Sequence, residues 1–370
     1  MSTNTNPTSI STSVGPWEQP WPAGELEELG SCPICANEKR ERLYGELIDN
    51  VFYCAAGKWT MWRCTGCGSG YLDPRPNRAS IHMAYQAYYT HTDITERIER
   101  RGDYASLSFL RKVRRQLFSG YLNQRFGTQE RPALALGSLA MSTLLRSFKL
   151  HFEHSRRHLP RLPKGGGTVL DVGCGNGSFL EIAKSLGWDA MGVDPDASAV
   201  ANCASRGLKV FQSGIERFEG EENLFDVITL SHVIEHMHDP LSLFEECYRL
   251  LKPDGRLWLE TPNIDSCGHR RYGRNWRGLE PPRHLALFNR RSLDLALRQA
   301  GFTRVEDRRA PNPLMHLSGI SEAIARGQPI DRRVEISGLR KWSLSKDAIL
   351  QAAFPSFREF LTIVALKSSP

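Results

Sequence analysis

The sequence predicts an α/β protein: a doubly wound, largely parallel sheet, preceded by a small cysteine-bound module and a basic helical bridge. Three observations carry this. Strand-like apolar runs alternate with helical segments from residue 165 onward, two Cys-x-x-Cys pairs stand well before them, and Lys and Arg crowd the stretch between.

Thr168 to Val172, Ala190 to Val193, Leu208 to Phe211, Phe225 to Leu230 and Arg256 to Glu260 read as strands, with helices near 178–187, 196–206 and 241–251. Such alternation needs right-handed crossovers, which cover a parallel sheet on both faces. Ser292 to Ala300 reads as a further helix with Ser292 as N-cap, and Thr303 to Arg308 and Glu359 to Leu366 as closing strands. The stretch 310–355 is too long for a structureless loop and is expected to carry helix. The expected organisation is a flexible tail over 1–24, the cysteine module over 25–93, the bridge over 94–164, and a main domain over 165–370 with 310–355 as an insertion.

The chain has 370 residues, 40% apolar and 24% charged, enough to bury a substantial core. Its net charge of +7 is unevenly spread: −5 over 1–38, +2 over 39–93, +10 over 94–164, and zero over 165–370. A neutral main domain argues against nucleic acid as the partner. The longest apolar stretch, Ala133 to Leu145, is interrupted by Ser and Gly and falls short of the roughly 20 residues of a membrane span. The start of the chain lacks a basic region followed by an apolar one, so a cytoplasmic location is expected. Beside Ala133 to Leu145, the Arg-rich bridge could rest peripherally on an anionic membrane, or cover a pocket with its basic face outward; the second is preferred.

Cys32-Pro33-Ile34-Cys35 and Cys64-Thr65-Gly66-Cys67 are two thiolate pairs with a two-residue gap, a spacing at which each tight turn aims two sulfurs at one ion. Structural zinc is expected, with Cys32, Cys35, Cys64 and Cys67 as ligands and Trp59, Met61 and Trp62 supplying a small core. Disulfides are the alternative, disfavoured in a reducing compartment.

In Val169-Leu170-Asp171-Val172-Gly173-Cys174-Gly175-Asn176-Gly177-Ser178 a strand feeds a glycine turn and then a helix, so a ligand's polar end can lie against bare backbone. The third glycine falls one residue early for a dinucleotide fingerprint, and the Lys of a phosphate-cradling loop is missing. Asp171 offers a carboxylate to a cationic ligand. Asp194, ending Gly192-Val193-Asp194, is placed to accept from two ribose hydroxyls. These residues resemble the motifs of class I S-adenosylmethionine-dependent methyltransferases. The resemblance implies a Rossmann-like sheet of seven strands, with the cofactor held by Asp171, Gly173, Gly175, Gly177 and Asp194. It also implies Ile215 beside the adenine and Ser231 at the end of the fourth strand.

Ser231-His232-Val233-Ile234-Glu235-His236 follows that strand. As a bare pattern His-x-x-Glu-His is also an inverted zinc-protease motif, but a position beside a cofactor loop opposes that reading. The run resembles the Glu-x-x-Glu-His stretch of ubiquinone-biosynthesis O-methyltransferases, which implies a divalent ion; His in place of the first Glu disfavours a hard metal. The alternative is that these side chains cap the next helix and line the pocket floor. A hydroxyl acceptor needs a base, and His232 is the first choice, followed by His236 and His284.

Between Asn263 and Arg290 six Arg stand against two acids, among aromatic residues, a combination that can stack a ring and neutralise phosphate or carboxylate. With the cysteine pairs and Gly278-Leu279-Glu280-Pro281-Pro282-Arg283-His284, this segment resembles zinc-ribbon methyltransferases of bacterial polysaccharide and natural-product sugar pathways. The expected function is methyl transfer from S-adenosylmethionine to a hydroxyl of a saccharide or other small, anionic metabolite, free or carried on phosphate or lipid. The alternatives are RNA methylation, C- or N-methylation of a sugar, and a non-enzymatic binding protein, which the intact glycine loop and Asp194 oppose.

Overall fold

The computed structural model describes residues 15–85, 108–143, 145–328 and 338–368. Most of the expected tail and the first part of the bridge, 94–107, lie outside the described residues. The cysteine module contributes β1 (Leu26–Glu27), β2 (Arg40–Leu47), β3 (Trp59–Cys64), β4 (Gly70–Leu72) and β5 (Arg75–Pro76). The bridge contains α1 (Phe109–Phe126), α2 (Gly137–Ser142) and α3 (Arg146–Ser155). There follow β6 (Thr168–Val172), α4 (Ser178–Ser185), β7 (Asp189–Asp194), α5 (Ala197–Ser205), β8 (Lys209–Gln212), β9 (Phe225–Ser231), α6 (Pro240–Leu250) and β10 (Leu251–Pro262). The chain closes with α7 (Cys267–Tyr272), β11 (Ala286–Leu287), α8 (Arg290–Gln299), β12 (Arg304–Asp307), α9 (Leu314–Ala325), α10 (Gly338–Ala353) and β13 (Phe360–Leu366).

Seven of these strands form one sheet in the order β12-β13-β10-β9-β6-β7-β8. The contacts β9–β6, β6–β7, β7–β8 and β10–β9 are parallel, and β13 alone runs antiparallel to its neighbours β10 and β12. The order reverses at β6 and β9, which opens a crevice at their carboxyl ends, where such sheets bind ligands. Alternate side chains face opposite layers. Leu170, Ile228 and Leu259 pack with Leu243 and Phe244 of α6 and Leu293 of α8. Val169 and Val227 pack on the other side with Phe179 of α4, Trp188, and Tyr121, Leu122, Phe126 and Phe152 of the bridge. The bridge thus covers one face of the sheet with its apolar residues. Helix α8 starts earlier than expected: Asn289 caps it by accepting from the Ser292 amide at 2.8 Å, so Ser292 closes the capping box from inside the helix rather than acting as N-cap.

The cysteine module is not self-contained. Its sheet has the order β11-β4-β3-β2, and β11 is lent by the main domain, pairing Ala286 with Tyr71 and Leu287 with Gly70. Ile264, Trp276, Leu279 and Leu287 fill the module's core alongside Trp59, Met61 and Leu72. This accounts for the long stretch 263–289 and corrects the expectation for its arginines. Arg283 is fully buried, its Nη2 2.5 Å from Asp49 and its Nε 3.0 Å from Glu280. Arg277 pairs with Glu280, Arg271 with Asp347 at 2.6 Å, and Arg274 donates to the Gly45 carbonyl at 2.9 Å. Arg270 lies over the Phe357 ring at 4.3 Å. Arg271, Arg277 and Arg283 are thus neutralised by carboxylates of the protein itself, while Arg270 and Arg274 stay at the exposed surface.

Candidate active site

The glycine loop lies at the carboxyl end of β6. Gly173 has φ +68°, and a Cβ there would sit 2.7 Å from Val233 Cγ2, so the turn can pass the β9 exit only as glycine. Gly175, at φ +51°, meets nothing within 4 Å of where its Cβ would be; its bare face borders open space. Gly177 stands at the N-cap of α4 in the left-handed conformation. Asp194, at the end of β7, accepts from the Gly175 amide at 2.8 Å and the Asp196 amide at 2.9 Å, which fixes its carboxylate on the loop. Ile215 is buried just beyond β8.

Asp171 is fully buried. Its Oδ1 accepts from Thr229 Oγ1 at 2.9 Å and from Arg157, while its Oδ2 has no hydrogen-bond partner among the described residues. Burial holds the carboxyl above its usual range against the pull of Arg157. A buried acceptor whose lone pairs take no hydrogen bond fits a cationic donor arriving from a ligand. Arg157 also packs over the Phe179 ring at 4.2 Å. Sequence reasoning missed it: it lies at the end of the bridge, and no spacing ties it to the glycine loop.

His232 has φ +53°, a conformation costly for a side chain of this size and often kept at functional sites. Its amide donates to the Glu260 carbonyl at 2.9 Å, continuing the β9–β10 ladder past the pair Ser231–Glu260. Its Nδ1 is 3.1 Å from Glu235 Oε1 and its Nε2 is 3.6 Å from Glu260 Oε1, and the imidazole itself stays 38% exposed. Burial opposes the charge, yet the hydrogen bond to Glu235 and the attraction of the Glu260 carboxylate prevail and raise its pKa to about 10. Its partner Glu235 is lowered to about 2, the pull of His232 outweighing burial. Glu235 also accepts from Thr261 Oγ1 at 3.0 Å. Glu260 accepts from Thr362 Oγ1 at 2.6 Å and lies 2.7 Å from His154 Nε2, so it links β9, β13 and α3. Glu260 was legible only as the last residue of a strand; that it meets His232 follows from the register.

His236 and His284 sit on the far side of Glu235. Their rings are 4.9 Å apart and edge to face. His236 Nδ1 is 2.9 Å from the Arg283 carbonyl and 3.1 Å from the Tyr85 hydroxyl, and His284 Nδ1 donates to the Gly278 carbonyl at 2.8 Å. Burial drives His284 down to about 4, so it is neutral. One ligand atom each of Glu235, His236 and His284 lies within 4.8 Å of the others. His284 is thus sealed beneath the cysteine module instead of reaching the open edge with His232.

In the module, Cys32 and Cys67 Sγ are 3.7 Å apart, and Cys35 and Cys64 Sγ are 3.5 Å apart. A tetrahedron with Zn–S near 2.3 Å requires S···S of about 3.8 Å, so the four sulfurs fit one ion. The Cys67 amide donates to Cys64 Sγ and the Ile34 amide to Cys32 Sγ, the support that thiolate ligands take from a knuckle.

Residues 147–307 match the family model described as Methyltransferase domain. The chain is 36% identical over 110 residues to the ubiquinone biosynthesis O-methyltransferase of Xanthomonas oryzae pv. oryzae (strain PXO99A), covering 28% of this chain and 46% of that protein. It is 38% identical over 109 residues to the enzyme of the same name from Actinobacillus pleuropneumoniae serotype 5b, covering 26% and 47%. The chain thus spans just under half the length of these curated relatives. A solved S-adenosylmethionine-dependent methyltransferase from Archaeoglobus fulgidus is 23% identical, with a TM-score of 0.40 and coverage of 62% of this chain and 94% of that one. Residues 147–307, which hold the glycine loop and Asp194, are thus similar to the methyltransferase domain family.

Proposed function

We propose that the protein methylates a hydroxyl of a small acceptor of the saccharide class. The observation that carries this is the meeting, at one sheet edge, of the cofactor-type loop with the His232–Glu235–Glu260 network. The matched relatives named as O-methyltransferases support a hydroxyl acceptor, and the resemblance to zinc-ribbon sugar-pathway enzymes supports a saccharide. Bound S-adenosylmethionine would supply an electrophilic methyl group. Asp171 Oδ2 would accept from its ammonium group and Asp194 from its ribose hydroxyls, with Gly173, Gly175 and Gly177 leaving room for its backbone-facing end. Ile215 would pack beside its adenine, and Ser231 would border its reacting end.

His232 is the proton acceptor in this mechanism. In the resting protein it is an imidazolium clamped by two carboxylates, so the reactive form is the minority neutral one, strongly basic once formed. Glu235 and Glu260 orient its two nitrogens. His236 and His284 act through Glu235 as positioning groups. Zinc on Cys32, Cys35, Cys64 and Cys67 would hold the module and, through β11, the segment that carries His284. Calorimetric titration with S-adenosylmethionine tests the cofactor half: saturable binding is expected, weakened at least about tenfold in Asp171→Asn, the loss of one charge-assisted hydrogen bond. No binding by the intact chain would overturn the proposal, and a salt-dependent shift of RNA would move the acceptor to nucleic acid.

A further inference from the structure

A cavity of about 760 Å³ opens between α3, the ends of β12 and β13, and α10. It is distinct from the glycine loop but adjoins the reactive edge. Phe360 lines it, and that ring lies 4.7 Å from the His232 imidazole. Helix α3, which lends Lys149 and Glu153 to the wall, also carries His154 onto Glu260.

The charge lining the cavity is lopsided once internal pairings are removed. Its cations are Arg146, Lys149, Arg308, Arg309 and Arg358, and its acids Glu153, Asp307 and Glu359. All three acids are occupied by protein donors. Glu153 is held by Tyr121 and by both Nε and Nη2 of Arg125, at 3.0 and 3.1 Å. Asp307 is held by Arg290 Nε at 3.0 Å. Glu359 accepts from the Gly268 amide at 2.8 Å, Trp276 Nε1 at 3.2 Å and Gln351 Nε2 at 3.0 Å. Of the cations, only Arg308 has a carboxylate partner, Glu306 at 2.7 Å. Arg358 spends two donors on carbonyls, those of Gln351 and Arg308, and is half-buried beside Arg309. Lys149 donates to a hydroxyl, Ser142 Oγ. Arg146 and Arg309 have no side-chain hydrogen-bond acceptor among the described residues. The remaining wall is apolar, with Leu150, Ala310, Pro311, Pro313 and Phe360.

We infer that this cavity is the acceptor site and that it takes a phosphoryl-bearing molecule: several unneutralised cations facing one space call for more than one negative charge, and guanidinium forks match phosphate oxygens. The phosphoryl group sits against Arg146, Lys149, Arg309 and Arg358, and the rest of the acceptor extends along Phe360 toward His232. The inference deepens the methyl-transfer proposal and rests on it for the reaction alone, because phosphoryl binding can be measured without turnover. Pyrophosphate is the test ligand, titrated calorimetrically into the full chain and into the double variant Arg146→Gln/Arg309→Gln. Saturable binding is expected, at least about tenfold weaker in the double variant. Acetate, with one charge and no tetrahedral oxygen set, is expected to bind at least about tenfold more weakly than pyrophosphate. S-adenosylmethionine affinity, set at the other end of the crevice, is expected to be unchanged by the two substitutions, which also shows that the variant is folded. Equal pyrophosphate affinity in the two proteins, no saturation, or acetate binding as well as pyrophosphate would overturn the assignment. Loss of S-adenosylmethionine binding by the unmodified chain would sink the methyl-transfer proposal instead.

Discussion

The proposed reaction concentrates its proton chemistry in one residue, His232. Its left-handed backbone, its position one step past a core strand and its two carboxylate partners together make an imidazolium whose proton is lost only near pH 10. A base that works in its neutral form then gives a rate that climbs with pH from neutrality toward about 10, and a kcat/KM profile flat over that range would remove His232 from this role. His232→Gln is expected to lower kcat about 10²- to 10⁴-fold, the span typical of a lost general base, with S-adenosylmethionine affinity preserved. The sequence singled out His232 as a candidate because it pointed to the end of the fourth strand. It could not supply the pKa, which depends on Glu235 three residues on and on Glu260 from another strand. For the same reason the sequence offered His236 and His284 as the next candidate bases, yet burial and carbonyl partners set them apart from His232.

At the scale of elements, the loan of β11 to the module's sheet decides most of what the sequence left open. Arg283 is buried between Asp49 of the module and Glu280 of the main domain. Arg283→Met is expected to destabilise the protein by about 3–5 kcal/mol, because it strands two buried carboxylates, and chemical unfolding would register this as a lower midpoint. Buried histidines add a pH dependence. His284 and His158 both titrate near 4 in the folded chain because burial disfavours their charge, whereas an unfolded histidine takes its proton near 6.5. The unfolded chain therefore binds more protons, and stability present above about 6.5 drains away as the pH falls toward 4. His232, raised to about 10, contributes in the opposite sense: its stabilisation is complete below about 6.5 and is lost as the pH rises through 10. Thermal midpoints across pH 4–10 should therefore peak between these limbs, and an unchanged midpoint from pH 7 to 4 would contradict the burial of His284 and His158.

At the scale of the molecule, the cysteine module is joined to the main domain by the lent strand β11, a common core and a buried ion pair. Metal loss should therefore be felt beyond the module. One zinc per chain is expected by elemental analysis, and Cys64→Ser or chelation is expected to release it. The thermal midpoint of the whole protein should then fall, together with methyl transfer, since β11 leads directly from His284. Retention of full activity after metal removal would show that the module is dispensable. The surplus positive charge of the bridge also takes on a location. Arg146 and Lys149 face the acceptor cavity, while the bridge's apolar residues cover the sheet. Among the described residues no helix is long and apolar enough to cross a membrane.

The sequence by itself determined the alternation of strands and helices, the cysteine quartet, the glycine loop with Asp171 and Asp194, and the histidine run after β9. These are local: period-two and helical patterns, turns that only glycine tolerates, and ligand spacings of two residues all act within a few positions of the chain. Tertiary structure alone decided which carboxylates flank His232, that Arg157 meets Asp171, that Arg271, Arg277 and Arg283 are paired with carboxylates of the protein itself, and where unneutralised cations gather. Each depends on groups far apart in sequence, and the balance between desolvation and pairing that sets their charge exists only once the sheet, the bridge and the module have packed.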